Sequence, residues 1–502
     1  MLGRALMVQG STSYAGKSTL VAALCRIFND MGYKVAPFKS QNMSLNSFVT
    51  EDGAEIARSQ IVQAMAARIK PIAEINPVLL KPKGDASSQI ILMGKPFADC
   101  DAKNYYRDFI PQLKPCVQQS LSKLLKGNDI VIIEGAGSPA EINLAENEIA
   151  NMFIAKLINT PVILIADIDR GGVFASIYGT IKLLKPDEQK LIRYFVINKF
   201  RGNFEILKPG ILRIEELVGI KCNGVIPYIQ NLKLPAEDSV SLENNERGGY
   251  LKVKIIHLPR ISNFTDFEPL SWEPEVYVSY VNSPEQLNDA DLIIIPGTKN
   301  TIKDLLWMEK KGFISKLREL EKNGYLIVGI CGGYQILGNN IIDMSIEGDS
   351  NSNYKGLGFL PIQTEFLTYN KITRQIQAEI IGFPIFNGQT INGYEIHMGN
   401  IILELGAIPL LKRKEKLNFS QDLSIGAINE KKTVFGTLIH GFWDNDEFRR
   451  KFIDFLFQRK TIKKPTEKKS NYKEIIERNI QKLAKVVEKN LNIKNIMNIL
   501  EI

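Results

Sequence analysis

Arg4-Ala5-Leu6-Met7-Val8-Gln9-Gly10 leads into Ser11-Thr12-Ser13-Tyr14-Ala15-Gly16-Lys17-Ser18-Thr19 and then Leu20-Val21-Ala22-Ala23-Leu24-Cys25. The first run reads as an apolar strand, the second as a small-residue loop, the third as a helix that starts at once. Phosphate chemistry needs these parts in this order. Loop N–H groups and the positive end of the new helix converge on one point, where Lys17 adds a mobile charge. The Ser18 hydroxyl is placed to ligate Mg²⁺, and Thr19 extends the loop's polar edge. Gly10 and Gly16 enclose five residues, one more than in the common phosphate loop.

Working outward, 502 residues are too many for one core, so two or three domains are expected. Hydrophobic content of 44% and charged content of 24% belong to a soluble globular chain. The five cysteines are scattered and form no CxxC pair, which argues for a reducing compartment and against disulfides or a zinc knuckle. The first apolar run enters the phosphate loop directly, so no signal peptide is expected. No apolar run approaches the roughly 20 residues that span a bilayer. A cytoplasmic protein without stable membrane insertion is expected.

The net charge of +8 invites a nucleic-acid reading, and its distribution removes it. From Arg459 onward, twelve Lys/Arg face five Asp/Glu, so the excess sits in the tail and the body is near neutral. A solvated basic extension, with no nucleic acid bound, is the expectation.

Residues 1–234 alternate short Val/Ile-rich strands with helical stretches, as in a parallel sheet covered on both faces. Strands are expected over Tyr33–Phe38, Asp129–Glu134, Pro161–Asp167 and Ile192–Asn198. Ligands bind at the carboxyl ends of such strands. Glu134, closing an apolar strand, suits a Mg²⁺ ligand facing the phosphates, and Asp52 is a second candidate. Arg170, Lys199 and Arg201 lie where an anionic substrate would arrive.

A polar, acidic, Gly-terminated stretch, 235–249, is the expected linker. The βα rhythm resumes with Val253–Leu258, Val276–Tyr280, Leu292–Pro296 and Tyr325–Ile330. The last of these ends in Gly329-Ile330-Cys331-Gly332-Gly333-Tyr334-Gln335, a G-x-nucleophile-x-G elbow with cysteine as nucleophile. N–H groups near Gly332 and Pro296-Gly297-Thr298 are candidates for an oxyanion hole. Three histidines are available as base. His257 reads as a core or interdomain residue, His397 lines a plausible site, and His440 ends the strand-like Val434–His440.

KSQNMSLNS (39–47), DGAEIARSQ (52–60), NPVLLKPKGDASSQI (76–90) and DIDRGGVFAS (167–176) carry a resemblance. The first half resembles the dethiobiotin-synthetase-like branch of the P-loop NTPases, whose loop has this longer spacing. More closely, the chain from Met1 to about Trp443 resembles the cobyric acid synthase family. That resemblance implies an α/β chain of two doubly wound domains. A P-loop, dethiobiotin-synthetase-like sheet (1–234) precedes a flavodoxin-like, class I (triad-type) glutamine amidotransferase domain (250–456).

It further implies a glutamine-hydrolysing carbon–nitrogen ligase of cobalamin biosynthesis. ATP would activate the b, d, e and g carboxylates of adenosylcobyrinic acid a,c-diamide as acyl phosphates, for ammonia taken from L-glutamine. On this reading Gly10, Gly16, Lys17, Ser18 and Thr19 bind ATP, and Asn198 contacts the adenine. Ser18, Asp52 and Glu134 hold Mg²⁺. Cys331 is the amidase nucleophile and His440 its base.

Relatives with a full triad carry Glu two residues after this His, where this chain has Phe442. Either Cys331 and His440 work as a dyad, the favoured reading, or a carboxylate such as Glu395 orients the imidazole. Other readings are the sister cobyrinic acid a,c-diamide synthase and, in another class, a regulatory or partitioning P-loop ATPase. Self-association would be as a homo-oligomer.

Beyond the resemblance, Lys460 to Lys469 reads as a basic link. Ile476, Ile480, Leu483, Val487 and Leu491 then form one stripe of an amphipathic helix, docked on the surface or facing a partner or a membrane surface. Within this basic 457–502 extension, Lys468 to Ile502 are expected to be dispensable for turnover.

Overall fold

The computed structural model describes residues 3–502 except 85–86, 237–248, 349, 416, 464 and 466–470. Most of the expected linker, and half of the expected basic link, lie outside the described residues.

The first half is built on six parallel strands: β1 (Arg4–Gly10), β2 (Val35–Phe38), β3 (Ile130–Glu134), β4 (Val162–Asp167), β5 (Ile192–Phe200) and β6 (Lys221–Pro227). Their spatial order is β6-β5-β4-β1-β3-β2. Every residue of β3 is buried because both faces of the sheet are covered, so the strand reads as a continuous apolar run. Met7, Val131 and Ile133 enter the core on one face; Leu6, Val8 and Ile132 enter the core on the other. Central β1 lies between β3 and β4, which brings the loops after these three strands together at one edge.

The βα rhythm did not disclose a subsidiary sheet inserted between β2 and β3. It joins Gln41–Met43, Val78–Pro82, Ser87–Leu92 and Lys95–Asp101.

The second half repeats the plan with β7 (Leu251–Ile256), β8 (Val276–Val281), β9 (Leu292–Ile295), β10 (Ile327–Ile330), β11 (Ile408–Pro409), β12 (Gly426–Ile428) and β13 (Val434–Thr437). The order is β8-β7-β9-β10-β13-β12-β11. The five strands from β8 to β13 are parallel, and the last two turn antiparallel. A side sheet carries the antiparallel pair Ile372–Ile380 and Thr390–His397 and reaches His440 through Tyr394.

The C-terminal stretch corrects the sequence expectation. Helix α1 (Lys17–Asp30) packs on one face of the first sheet, and two late helices, Tyr472–Asn490 and Ile493–Leu500, complete that same layer. Ile476, Ile480, Leu483, Val487 and Leu491 are buried in one cluster with Leu6, Val8 and Leu20. Arg26 of α1 is fully buried and donates to Glu477, Gln481 and the Ala66 carbonyl. At β6 the chain returns so closely that a Cβ on Gly224 would stand 2.1 Å from the Asn490 carbonyl oxygen. The stripe was legible, but what covers it lies some 450 residues away in the chain. The helix Asp446–Lys460 also runs through the boundary expected at 456.

Deleting 468–502 is therefore expected to unfold the first domain rather than trim a tail. Five buried aliphatic side chains at about 1.5–3 kcal/mol each rival the roughly 5–15 kcal/mol that holds a domain folded. Soluble yield and the thermal melt of the truncated chain check this; a soluble, active truncation would refute it. Among the described residues, no helix is long and apolar enough to cross a membrane.

Candidate active site

Two constellations stand at the carboxyl edges of the two sheets. In the first, Gly16 takes φ +103° as the N-cap of α1, and a Cβ there would meet the Asn198 amide at 2.1 Å. Only glycine fits that turn. The Asn198 side chain donates to the Ala15 carbonyl at 2.8 Å, so it clamps the loop from β5. A Cβ on Gly10 would stand 2.9 Å from the Lys17 Nζ, which keeps that end of the loop bare as well. Lys17 Nζ donates to Gly137 O at 2.8 Å, joining the loop after β1 to the loop after β3. Thr19 turns its hydroxyl back onto Gly16 O, at 2.8 Å.

Ser18 Oγ stands 2.8 Å from Glu134 Oε1, and Glu134 is completely buried. Lys39 Nζ, at 2.8 Å, and Gln63 Nε2, at 2.5 Å, also donate to this carboxylate. A hydroxyl and a carboxylate side by side are the hard oxygen donors that Mg²⁺ takes beside a phosphate, so the pair fits that ion. Asp52 does not join them. It lies exposed in the turn between Ser47–Val49 and Glu55–Ala57, accepts from Thr50, and neighbours Gly53, whose carbonyl takes a bond from Thr373 of the second half. The unforeseen hairpin carries Asp52 to the domain interface.

The expected anion-greeting cations are engaged at the same edge. Lys199 pairs with Asp167 at 2.7 Å, Arg201 pairs with Asp169 and lies over Tyr228, and Arg170 lies over Tyr14.

The second constellation is the elbow. Cys331 has φ +52° and ψ −111°, a strained conformation for a side chain that is not glycine. The surrounding glycines make the turn feasible. A Cβ on Gly333 would lie 2.0 Å from Ile295 O, so the helix Gly332–Ile336 enters against β9 only with glycine there. A Cβ on Gly332 would stand 3.3 Å from the Thr298 amide nitrogen, so the two segments expected to supply an oxyanion hole lie side by side.

His440 and Cys331 line one cavity, in which the Cys331 thiol donates to the Ile396 carbonyl at 3.7 Å. His440 Nδ1 stands 2.6 Å from Asp266 Oδ2, and the other Asp266 oxygen accepts from Gly441 N at 3.0 Å. The ring is 1% exposed and stacks on Tyr394 at 5.4 Å. Cys331, His440 and Asp266 thus form a triad, which corrects the expected dyad. Glu395 is not the orienting group either. Its strand neighbour Tyr394 pairs with His440, while Glu395 binds Arg413, Arg374 and His397. Burial pushes its carboxyl up, and His397 and Arg413 hold it well below the usual carboxylate range.

Asp266 was missed because it comes from a short buried turn, Phe264–Phe267, 174 residues before its partner. No local signal marks it: in Ser262-Asn263-Phe264-Thr265-Asp266-Phe267-Glu268, soon after β7, polar and apolar residues are mixed as in any connecting loop. His257 lies 3.1 Å from Asn282, and His397 lines the elbow cavity.

The first half buttresses this triad. Asn46 accepts from Thr265 at 2.9 Å, Ser47 N donates to Asn263, and the Tyr394 hydroxyl donates to Ser47 O at 3.1 Å.

Burial alone would depress His440, but Asp266 first and then Cys331 overcome it and raise the imidazole to about 10. That interaction stabilises the fold fully below the ordinary 6.5 and is lost as pH rises through about 10. Asp266→Asn is expected to bring the alkaline limb of glutamine hydrolysis down from near pH 10 toward 6.5. It should also slow the reaction roughly 100-fold, a typical share for general acid–base catalysis. A pH profile of ammonia release with an unmoved limb would sink Asp266 as the orienting group.

Residues 6–242 match the family described as the CobQ/CobB/MinD/ParA nucleotide binding domain. Residues 252–448 match the CobB/CobQ-like glutamine amidotransferase domain. Along nearly its whole length the chain is similar to proteins called cobyric acid synthase. The Alkaliphilus metalliredigens protein is 45% identical, covering 99% of each chain. A protein of Methanothermobacter thermautotrophicus called probable cobyric acid synthase is 46% identical, covering all of both chains. The Clostridium acetobutylicum relative is 45% identical over 99% of each.

Proposed function

The chain belongs to the cobyric acid synthase family, and from that premise we propose that it amidates the b, d, e and g carboxylates of adenosylcobyrinic acid a,c-diamide with ATP and glutamine. The observation that carries this reading is the pairing, in one chain, of the Lys17–Ser18–Glu134 edge with the Cys331–His440–Asp266 triad.

A carboxylate is a poor electrophile. Its oxygen attacks the terminal phosphorus of ATP, ADP leaves, and the resulting acyl phosphate carries a good leaving group. Such transfer is catalysed by positioning and charge neutralisation. Lys17 and the loop amides hold the phosphates. Ser18 and Glu134 would hold Mg²⁺, which supplies positive charge against them. Lys39, bonded to Glu134, keeps that carboxylate in place.

In the second half the Cys331 sulfur attacks the glutamine carboxamide, and the N–H groups at Gly332 and Thr298 receive the oxyanion. His440 delivers its proton to the departing ammonia, and water releases glutamate from the thioester. Ammonia then attacks the acyl phosphate, and phosphate leaves. The five cysteines are free, in keeping with a cytoplasmic setting.

Mass spectrometry of the corrinoid product tests the assignment, because each amidation replaces OH by NH₂. Conversion of the a,c-diamide to a product with four further amides is expected. Consumption of cobyrinic acid instead would assign the chain to the sister diamide synthase.

A further inference from the structure

The elbow cavity is lined by Cys331 and His440 and also by Lys81, Lys299, Lys371 and Glu347. Lys81 is foreign to that half of the chain: it comes from the strand Val78–Pro82 of the first domain. Glu55, also from the first domain and completely buried, stands between two of the lysines. Its Oε1 pairs with Lys81 at 2.6 Å and its Oε2 with Lys371. Lys299 Nζ donates to the Gln89 side chain at 2.8 Å, and Glu347 accepts from the Thr301 amide at 2.6 Å.

Three lysine nitrogens thus meet two carboxylates, one of them already shared between two lysines. Burying a cation without an anion is costly, so such a cluster calls for a further negative charge. Burial first, and then the neighbouring lysines, drive Lys299 well below its ordinary value; burial and Lys81 bring Lys371 down to about 8 against the pull of Glu55. Lys81 has three N–H donors, and Ser47 and Glu55 take two.

The substrate proposed for Cys331 brings the missing charge. With the amide carbon at the sulfur, the α-carboxylate lies at the far end of a short carbon stem, inside the same cavity. We propose that Lys81 reaches across the domain interface and, with Lys371 and Lys299, seats the α-carboxylate of glutamine, with Glu55 positioning the two lysines that it bridges. Glu347, which lines the same cavity, is left to receive the α-ammonium group. This rests on the reading of Cys331 as a glutamine nucleophile. It means that the glutamine site is complete only when the synthetase half is docked.

The test is ammonia release by the full-length chain from L-glutamine and from 4-aminobutanamide, which keeps the amide and amine but lacks the carboxylate. The unaltered protein should prefer glutamine by roughly 10- to 100-fold in kcat/KM, the scale of one charge-assisted contact. Lys81→Met should raise the KM for glutamine by a comparable factor with kcat nearly kept, so the preference collapses toward one. Lys81→Arg should recover part of it. Lys371→Met should repeat the result from the other half of the chain, should Lys81→Met fold poorly.

An equal loss on both substrates would mean that Lys81 only braces the interface, and overturns the proposal. So would a raised KM for the corrinoid with glutamine unaffected. An unaltered protein that takes both amides equally overturns it with no variant at all. If the unaltered protein releases no ammonia from glutamine, the functional reading itself has failed.

Discussion

Lys17→Ala is expected to abolish amide formation from glutamine and from ammonium salts alike. Lys17 is the loop's cation, and its ammonium already ties the loop after β1 to Gly137 of the loop after β3. In phosphoryl transfer little covalent work falls to the protein; positioned positive charge carries most of the rate. Losing one such charge costs on the order of 10³-fold or more. Neither nitrogen source bypasses that loss, since both need the acyl phosphate. Glutamine hydrolysis should survive, because Cys331, His440 and Asp266 stand on a different sheet, which makes ammonia release the control for folding. Corrinoid amide formed at the normal rate by this variant would remove the loop from the mechanism.

What the sequence made legible was whatever depends on neighbours along the chain. Lys17 and Ser18 announce themselves by strand, loop and helix in direct succession, and Glu134 by closing an apolar strand. Cys331 stands out because an elbow needs glycines on both sides, and the approach of Gly333 to Ile295 O shows why. His440 is singled out by the resemblance, and the structure buries it against Tyr394.

What escaped depends on partners far along the chain. Asp266 has no local signature, since a carboxylate in a buried turn looks the same whether it caps a helix or orients an imidazole. Asp52 was misplaced because a two-strand hairpin within a presumed connection carries it away from the phosphate edge. Ile476 to Val487 do form one helix face, whereas Leu491, expected to close the stripe, lies past the helix end at Asn490 in extended backbone. Periodicity, however, cannot say that the opposing surface is the layer of α1 above β1. The Glu55–Lys81–Lys371 group spans two domains, and its members are ordinary surface residue types until the fold buries them.

The sharpest separation of the two halves is at Cys331. Cys331→Ala should abolish glutamine-dependent synthesis, because no other group at the elbow can form the thioester. Cys331→Ser should come close to the same loss, hydroxyl oxygen being a far weaker nucleophile than sulfur. Synthesis driven by high concentrations of ammonium salt should survive in both, since nothing in glutamine cleavage touches the carboxylate being phosphorylated.

The two nitrogen sources should also part company with pH. Ammonium-driven synthesis should climb toward alkaline pH as more ammonia is unprotonated. In the unaltered protein, the glutamine-driven reaction should instead fall once His440 deprotonates near pH 10, because the imidazolium must supply the leaving group's proton. His440→Ala belongs with the cysteine variants, though with a residual glutamine-dependent rate, since sulfur can attack without its base. Corrinoid amide formation measured with each nitrogen source in turn decides the matter. If Cys331→Ala stays folded yet loses both activities, the halves do not divide the chemistry as argued. If it keeps the glutamine-dependent one, the nucleophile lies elsewhere.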